Sequence, residues 1–223
     1  MIKINGLKKE YSRDFVLQTD SLIIEDAQRV ALIGSNGSGK TTLLRLLAGY
    51  MQPDCGTIQG IPQDAVYSPQ EPYVFNTSVL DNVTVGLDGS RERRREDALA
   101  ALKRVELEGF AHKRARRLSG GETQRMVFAR LIACKRSLML LDEPFSAADI
   151  ESARLLRRVL IQYCKENGTT LVIATHTPPD AVEVCERIII MNNGKIAEDG
   201  TACELLREPQ TPFGKAFLSG WRL

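Results

Sequence analysis

The sequence predicts an α/β fold with a mainly parallel sheet, an N-terminal antiparallel β subdomain and an inserted α-helical subdomain. Three observations carry this expectation. Short apolar runs rich in β-branched residues recur between helical patterns, the opening segment alternates without a crossover helix, and one long stretch has helical periodicity but no strand.

Residues 2–19 alternate apolar and polar positions and are assigned to a small antiparallel sheet at one edge. The runs 29–33, 65–67, 137–141, 170–174 and 187–191 read as buried strands of the parallel sheet. An apolar helix is expected over 42–48, ending near Gly49. From about residue 71 to residue 117 no strand stands out; helical spacing is seen at 78–87 and 97–107, with the charged run 91–96 between them. The clearest helix is 150–163, where Ile150, Ala153, Leu156, Leu160 and Tyr163 fall at three- and four-residue steps. Late helices are expected to begin at Thr177 and Thr201, each followed three residues on by an acidic residue, Asp180 or Glu204, in capping-box spacing. Pro178 and Pro179 suit the first turn of the earlier one.

The 223 residues are 43% hydrophobic, enough for a substantial core. With 30 basic against 28 acidic residues the net charge is +2, so no overall field draws the chain to nucleic acid or to anionic lipid. Cys55, Cys134, Cys164, Cys185 and Cys203 lack CxxC spacing and are odd in number, which fits a reducing compartment better than a disulfide framework or a zinc module. The longest apolar runs, 138–141 and 188–191, fall far short of a membrane span, and the opening residues are no signal peptide.

Gly34-Ser35-Asn36-Gly37-Ser38-Gly39-Lys40-Thr41 matches GxxxxGK[ST], with a strand before it and a helix after it. Glycines let backbone N–H groups turn inward around an anion, and the helix start adds its positive end. Lys40 is placed for the β and γ phosphates of a nucleotide, and the Thr41 hydroxyl for magnesium. These features predict a P-loop NTPase (RecA-like) core. The run 138–141 leads into Asp142-Glu143-Pro144, setting two carboxylates at the carboxyl end of a buried strand, where open α/β sheets bind ligands. Asp142 is suited to orient magnesium, and Glu143 is the candidate general base for an attacking water. In Ser119-Gly120-Gly121-Glu122 the serine and glutamate have capping-box spacing. Two adjacent glycines weaken a helix start, and they allow an anion to approach its free N–H groups.

Leu118-Ser119-Gly120-Gly121-Glu122, followed by Gln124 and Arg125, resembles the signature motif of ABC ATPases. Other landmarks of that family follow in order. Tyr11 resembles the aromatic that stacks on adenine, Gln70 the Q-loop glutamine, Ser146-Ala147-Ala148-Asp149 the D-loop, and His176 the switch histidine. The resemblance spans nearly the whole chain. It implies one ABC ATPase domain over 1–223, with 1–70 and 123–223 as the α/β core and 71–122 as a helical insertion that holds the signature motif. It implies ATP and Mg2+ as cofactors, and Glu143, His176, Lys40 and Gln70 as catalytic residues. Tyr11, Gly34, Ser35, Asn36, Gly37, Ser38, Gly39, Lys40, Thr41, Thr42, Gln70, Asp142 and His176 would hold the nucleotide, with Thr41, Gln70 and Asp142 at the metal. Ser119, Gly120, Gly121, Glu122 and Asp149 would act in trans, from the second chain of a two-fold homodimer.

In the family, ATP closes that dimer and hydrolysis opens it. The Q-loop and the helical insertion are the docking surface for a transmembrane permease, so the chain is expected at the cytoplasmic face of the membrane, in some systems with a substrate-binding protein. Residues 75–83 resemble the matching stretch of stand-alone importer ATPases, those for small oxyanions among them. Ala148 departs from the leucine usual in the D-loop and is expected to loosen a dimer contact. The chain ends soon after Trp221, which predicts no added regulatory domain of the kind some sugar importers carry. The alternative reading is a soluble ABC ATPase acting on nucleic acid or ribosomes. Such proteins usually have two cassettes or a long insertion, and the basic clusters 91–95 and 113–117 are read as solvated helix faces.

Overall fold

The computed structural model describes residues 1–12 and 15–221, and the side chains of 1–10 and 15–221. The described chain divides into two compact units: 1–69, 137–143 and 168–223 form the first, and 70–136 with 144–167 the second.

The first unit is built on one nine-stranded sheet. Its strands are β1 (Ile2–Ser12), β2 (Phe15–Ile24), β3 (Arg29–Ile33), β4 (Cys55–Gln59), β5 (Val66–Ser68), β6 (Leu138–Asp142), β7 (Thr170–Thr175), β8 (Arg187–Asn192) and β9 (Lys195–Thr201), in the order β4-β1-β2-β9-β8-β3-β7-β6-β5. From β8 to β5 every pairing is parallel. β6 and β7 are buried at every position and β3 at all but its first, which is why these segments read as unbroken apolar runs. The antiparallel strands β1, β2 and β4 continue the same sheet instead of forming a separate one. Their link to the rest is slender: β2 and β9 pair in parallel at Gln18 and Lys195. Arg187 of β8 ties this seam from below, donating to Asp199 at 2.7 and 2.6 Å and to the Ile23 carbonyl at 2.7 Å.

Helix α1 (Lys40–Leu47) lays Leu43, Leu44, Leu46 and Leu47 into a core with Ile4, Leu7, Leu17, Leu32, Leu140 and Val172. The strands β4 and β9 escape a reading by apolar content, since β4 is almost wholly exposed and β9 alternates only loosely.

The second unit is helical: α2 (Val79–Thr84), α3 (Arg91–Arg104), α4 (Gly120–Ile132) and α5 (Ile150–Asn167). The charged run 91–96, expected between helices, is the first turns of α3. Ser90 caps it by accepting from the Arg93 N–H, and arginine and glutamate are good helix formers that need no apolar stripe at a solvated start. A buried polar lattice joins the segment before α2 to α4. Asn82, with no exposed surface, accepts from the Phe75 N–H and the Arg130 guanidinium at 2.9 Å each, and donates to Phe75 O, Thr77 Oγ1 and Ser78 O. Arg130 also donates to the carbonyls of Asn82 and Tyr73 at 2.9 Å.

Helices α6 (Pro178–Val184), α7 (Ala202–Arg207) and α8 (Pro212–Ser219) belong to the first unit. Thr201 and Glu204 form the expected capping box. Thr177 does not cap α6 with its side chain; its ψ of 95 departs from the extended 148 of Thr201, and its own N–H is turned to Thr175 Oγ1.

Because Asn82 has every amide position engaged without water, removing it strands donors and acceptors on two elements. We expect Asn82→Ala to destabilise the chain by about 2–4 kcal/mol, read as a lower urea midpoint with an unchanged denaturant slope.

Candidate functional site

The level ends of three neighbouring parallel strands make the site. In register, Ile33 of β3 lies beside Thr175 of β7, and Asp142 of β6 beside Ala174 of β7. The residues that leave these ends, Gly34, Glu143 and His176, therefore emerge at one edge of the sheet.

The loop after β3 turns back on itself and enters α1. Gly34 has φ +151, and a Cβ there would fall on the Met191 carbonyl oxygen, so no other residue fits. Gly39, at φ +105, brings the chain into the first turn of α1. Lys40 is 7% exposed and donates to the carbonyls of Gly34 at 2.8 Å and Ser35 at 3.0 Å, which holds its ammonium inside the loop. Burial pushes the Lys40 ammonium below its ordinary pKa, against the opposing pull of Glu143 and Asp142. The buried Ser38 hydroxyl has no hydrogen-bond partner among the described residues.

Asp142 is buried beside the Thr41 hydroxyl. Burial raises its carboxyl above the usual aspartate range, and the nearby Thr41 hydroxyl offsets only part of this. The next residue, Glu143, occupies the left-handed region at φ +47, a conformation that costs a non-glycine residue about 1–2 kcal/mol. Its backbone N–H donates to Ala174 O at 2.8 Å, and both carboxylate oxygens are engaged. Oε2 accepts from Thr175 Oγ1 at 3.0 Å, while Oε1 accepts from the His176 N–H at 2.9 Å and meets His176 Nδ1 at 2.8 Å. The strained turn is thus fixed on β7, with the carboxylate aimed along the sheet edge.

The donor set fits a triphosphate and magnesium: an ammonium held by carbonyls alone, an unpartnered buried hydroxyl, a glycine loop running into a helix start, and a hydroxyl paired with a carboxylate. Among the described residues no three His, Cys, Asp or Glu side chains gather as a metal cage. Magnesium needs none, since it takes one or two protein oxygens and completes its shell with phosphate and water.

The structure brings Lys40, Thr41, Asp142, Glu143 and His176 together in the first unit; Ser35, Asn36 and Gly37 lie exposed on the loop, and Thr42 is half-buried in α1. The Tyr11 side chain lies outside the described residues. Gln70, exposed, opens the second unit, which also holds 119–122 and Asp149. Ser119 and Glu122 form a reciprocal capping box at the start of α4. Gly120 is exposed, whereas Gly121 is buried and the Asp149 carboxylate is engaged by Ser152. Two residues that bear on the site escaped the sequence reading. Thr175 lies one step past the expected end of its strand, and Ser152 looks like any helix residue until its partner is known.

For Asp142 the folded state binds its proton more tightly than the unfolded chain does. Stability is therefore lost as pH rises from the ordinary carboxylate value through the folded one, and the whole penalty is present at neutral pH. Asp142→Asn should resist urea better than the natural chain at pH 7.5, with the gap closing as pH is lowered toward about 4.

Comparison with known proteins accounts for this arrangement. The family model described as "ABC transporter" matches residues 17–146, more than half of the chain. The sulfate/thiosulfate import ATP-binding protein CysA of Bacillus cereus is 37% identical over 100% of this chain and 67% of its own length. The spermidine/putrescine import ATP-binding protein PotA of Marinobacter nauticus is 34% identical over 98% of this chain and 62% of its own. The chain thus spans roughly two thirds of the length of these curated relatives. Among solved structures, the dimeric ATP-binding cassette MJ0796 in a post-hydrolysis state with ADP and Pi superposes with a TM-score of 0.80 at 26% identity, covering 91% of this chain and 99% of that one. A putative metal-chelate type ABC transporter in an inward-facing conformation gives 0.83 at 28% identity, covering 98% and 88%. By its matched family model, by its relatives and by the loop, strand ends and capped helix described above, the chain belongs to the ABC transporter family, as one of its ATP-binding cassettes.

Proposed function

We propose that this chain binds and hydrolyses ATP as the motor subunit of a membrane importer, working as a homodimer against a separate transmembrane permease. The observation that carries the reading is the shared sheet edge at which Lys40, the Thr41–Asp142 pair and the Glu143–His176 contact converge.

The residues divide the work. The backbone N–H groups of 34–39 and the Lys40 ammonium bind and neutralise the phosphates. Thr41 and Asp142 would hold magnesium, with Gln70 as a further ligand; when bound, the metal supplies positive charge to the transferring phosphoryl group. Glu143 accepts a proton from the attacking water, and its engaged carboxylate keeps one orientation through Thr175 and His176. Tyr11 is assigned to the adenine. Ser119, Gly120 and Glu122, at an exposed helix start of positive dipole, would complete the partner chain's nucleotide site.

Tyr73 and Phe75, 65% and 36% exposed, stack edge-on at 4.8 Å just after Gln70 and are proposed to meet the permease, the Asn82–Arg130 lattice holding them in place. No helix among the described residues is long and apolar enough to cross a membrane, so association with the cytoplasmic face would run through that partner. The cargo is proposed to be a small oxyanion of the sulfate class, on the strength of the sulfate/thiosulfate import relatives. A substrate-binding protein would serve the same system.

Glu143→Gln should keep ATP binding, accumulate an ATP-dependent dimer on size exclusion and release phosphate about 10²–10⁴ times more slowly. Phosphate release at the natural rate would remove Glu143 from this role. Thr175→Val should slow turnover roughly tenfold without changing nucleotide affinity, and Thr175→Ser should restore it; both are read by steady-state phosphate release.

A further inference from the structure

The two glycines at the start of α4 differ in what surrounds them. Neither has positive φ, so backbone conformation does not require glycine at 120 or 121, and in a helix alanine would be favoured. Clearance must be the reason. Gly120 is exposed, and a Cβ there would approach only the Ala147 carbonyl, at 3.3 Å. Gly121 is buried, and its Cβ would lie 2.6 Å from Asp149 Oδ2 and 3.1 Å from Ser152 Oγ.

Those two atoms are bonded to each other, although Asp149 itself is exposed. Asp149 caps α5: Oδ1 accepts from the Ser152 N–H at 2.8 Å and Oδ2 from the Ser152 hydroxyl at 3.0 Å, while Ser152 is 6% exposed. Backing Asp149 away from a new methyl group would break the bond between the two side chains. In the same unit α4 is joined to the segment that precedes α5, by the buried Gln124 amide donating to the Pro144 carbonyl and by Phe128 stacked on Phe145 at 5.8 Å.

We propose that Asp149 is a positioning residue whose carboxylate, locked on Ser152, forms the seat for Gly121, so that the start of α4 and the segment 146–149 are held as one body. Gly121 is then glycine because of its own chain. The inference rests on the proposed ATP-driven self-association for one of its two readouts and is independent of it for the other.

A double-mutant cycle tests it. Serine at position 149 keeps an oxygen for the Ser152 N–H and ends short of Gly121, whereas asparagine keeps the full reach. In the natural background Gly121→Ala should lower the melting temperature; in the Asp149→Ser background the same change should raise it, as expected for glycine to alanine in an unobstructed helix. In chains that also carry Glu143→Gln, Gly121→Ala should weaken MgATP-dependent dimerisation at least tenfold when position 149 is natural or carries Asp149→Asn. With Asp149→Ser the loss should be less than threefold, by analytical ultracentrifugation. An equal loss in all three backgrounds would mean that the methyl group meets the nucleotide or the second chain, and would overturn the proposal, as would a harmless Gly121→Ala throughout. A Glu143→Gln chain that never dimerises with MgATP refutes the self-association reading, and the melting cycle still decides the seat.

Discussion

Everything at this site depends on three parallel strands ending level. A parallel register shifted by one residue between β6 and β7 would turn Glu143 away from Thr175 and His176, and would leave a left-handed residue without the Ala174 bond that fixes it. The burial of β3, β6 and β7 on both faces specifies that register, since no slipped pairing could keep Leu138, Leu140, Val172 and Ala174 in the same core as α1. Packing thus sets the positions from which the chemistry follows.

Electrostatics at the strand ends work against stability. The ammonium of Lys40 and the carboxyl of Asp142 are each pushed toward their neutral forms by burial, and the opposite charges nearby, Glu143 and Asp142 for the first, Arg45 and Lys40 for the second, offset only part of this. A nucleotide with its metal would add further charge of opposite sign on each side. A site that is uncomfortable without its ligand favours the bound state for that reason.

Much of this was legible in the sequence. The strand 29–33 is read to the residue and the other parallel strands to within one; in β3, β6, β7 and β8 double burial leaves an unbroken apolar run, while β5 is only half-buried. The loop from Gly34 to Thr41 and the pair Asp142–Glu143 are local patterns with local causes. What escaped depends on partners far away in the chain. Cys55–Gln59 is a strand only because β1 pairs with it, and Thr175 matters only because Glu143 bends toward it. The capping box at Thr177 failed on a backbone angle that no spacing rule encodes, whereas the one at Thr201 formed. The two glycines at 120 and 121 looked equivalent, and burial separates them.

The amide of Asn82 has a consequence for how this cassette can vary. Its oxygen serves two donors and its nitrogen three acceptors, drawn from Phe75, Thr77, Ser78 and a guanidinium on α4. Aspartate would have no hydrogen to give the carbonyls, leucine of similar size would satisfy nothing, and glutamine would reach too far. The aromatics at 73 and 75 stand partly exposed above this joint, and the joint itself calls for an amide of asparagine's length.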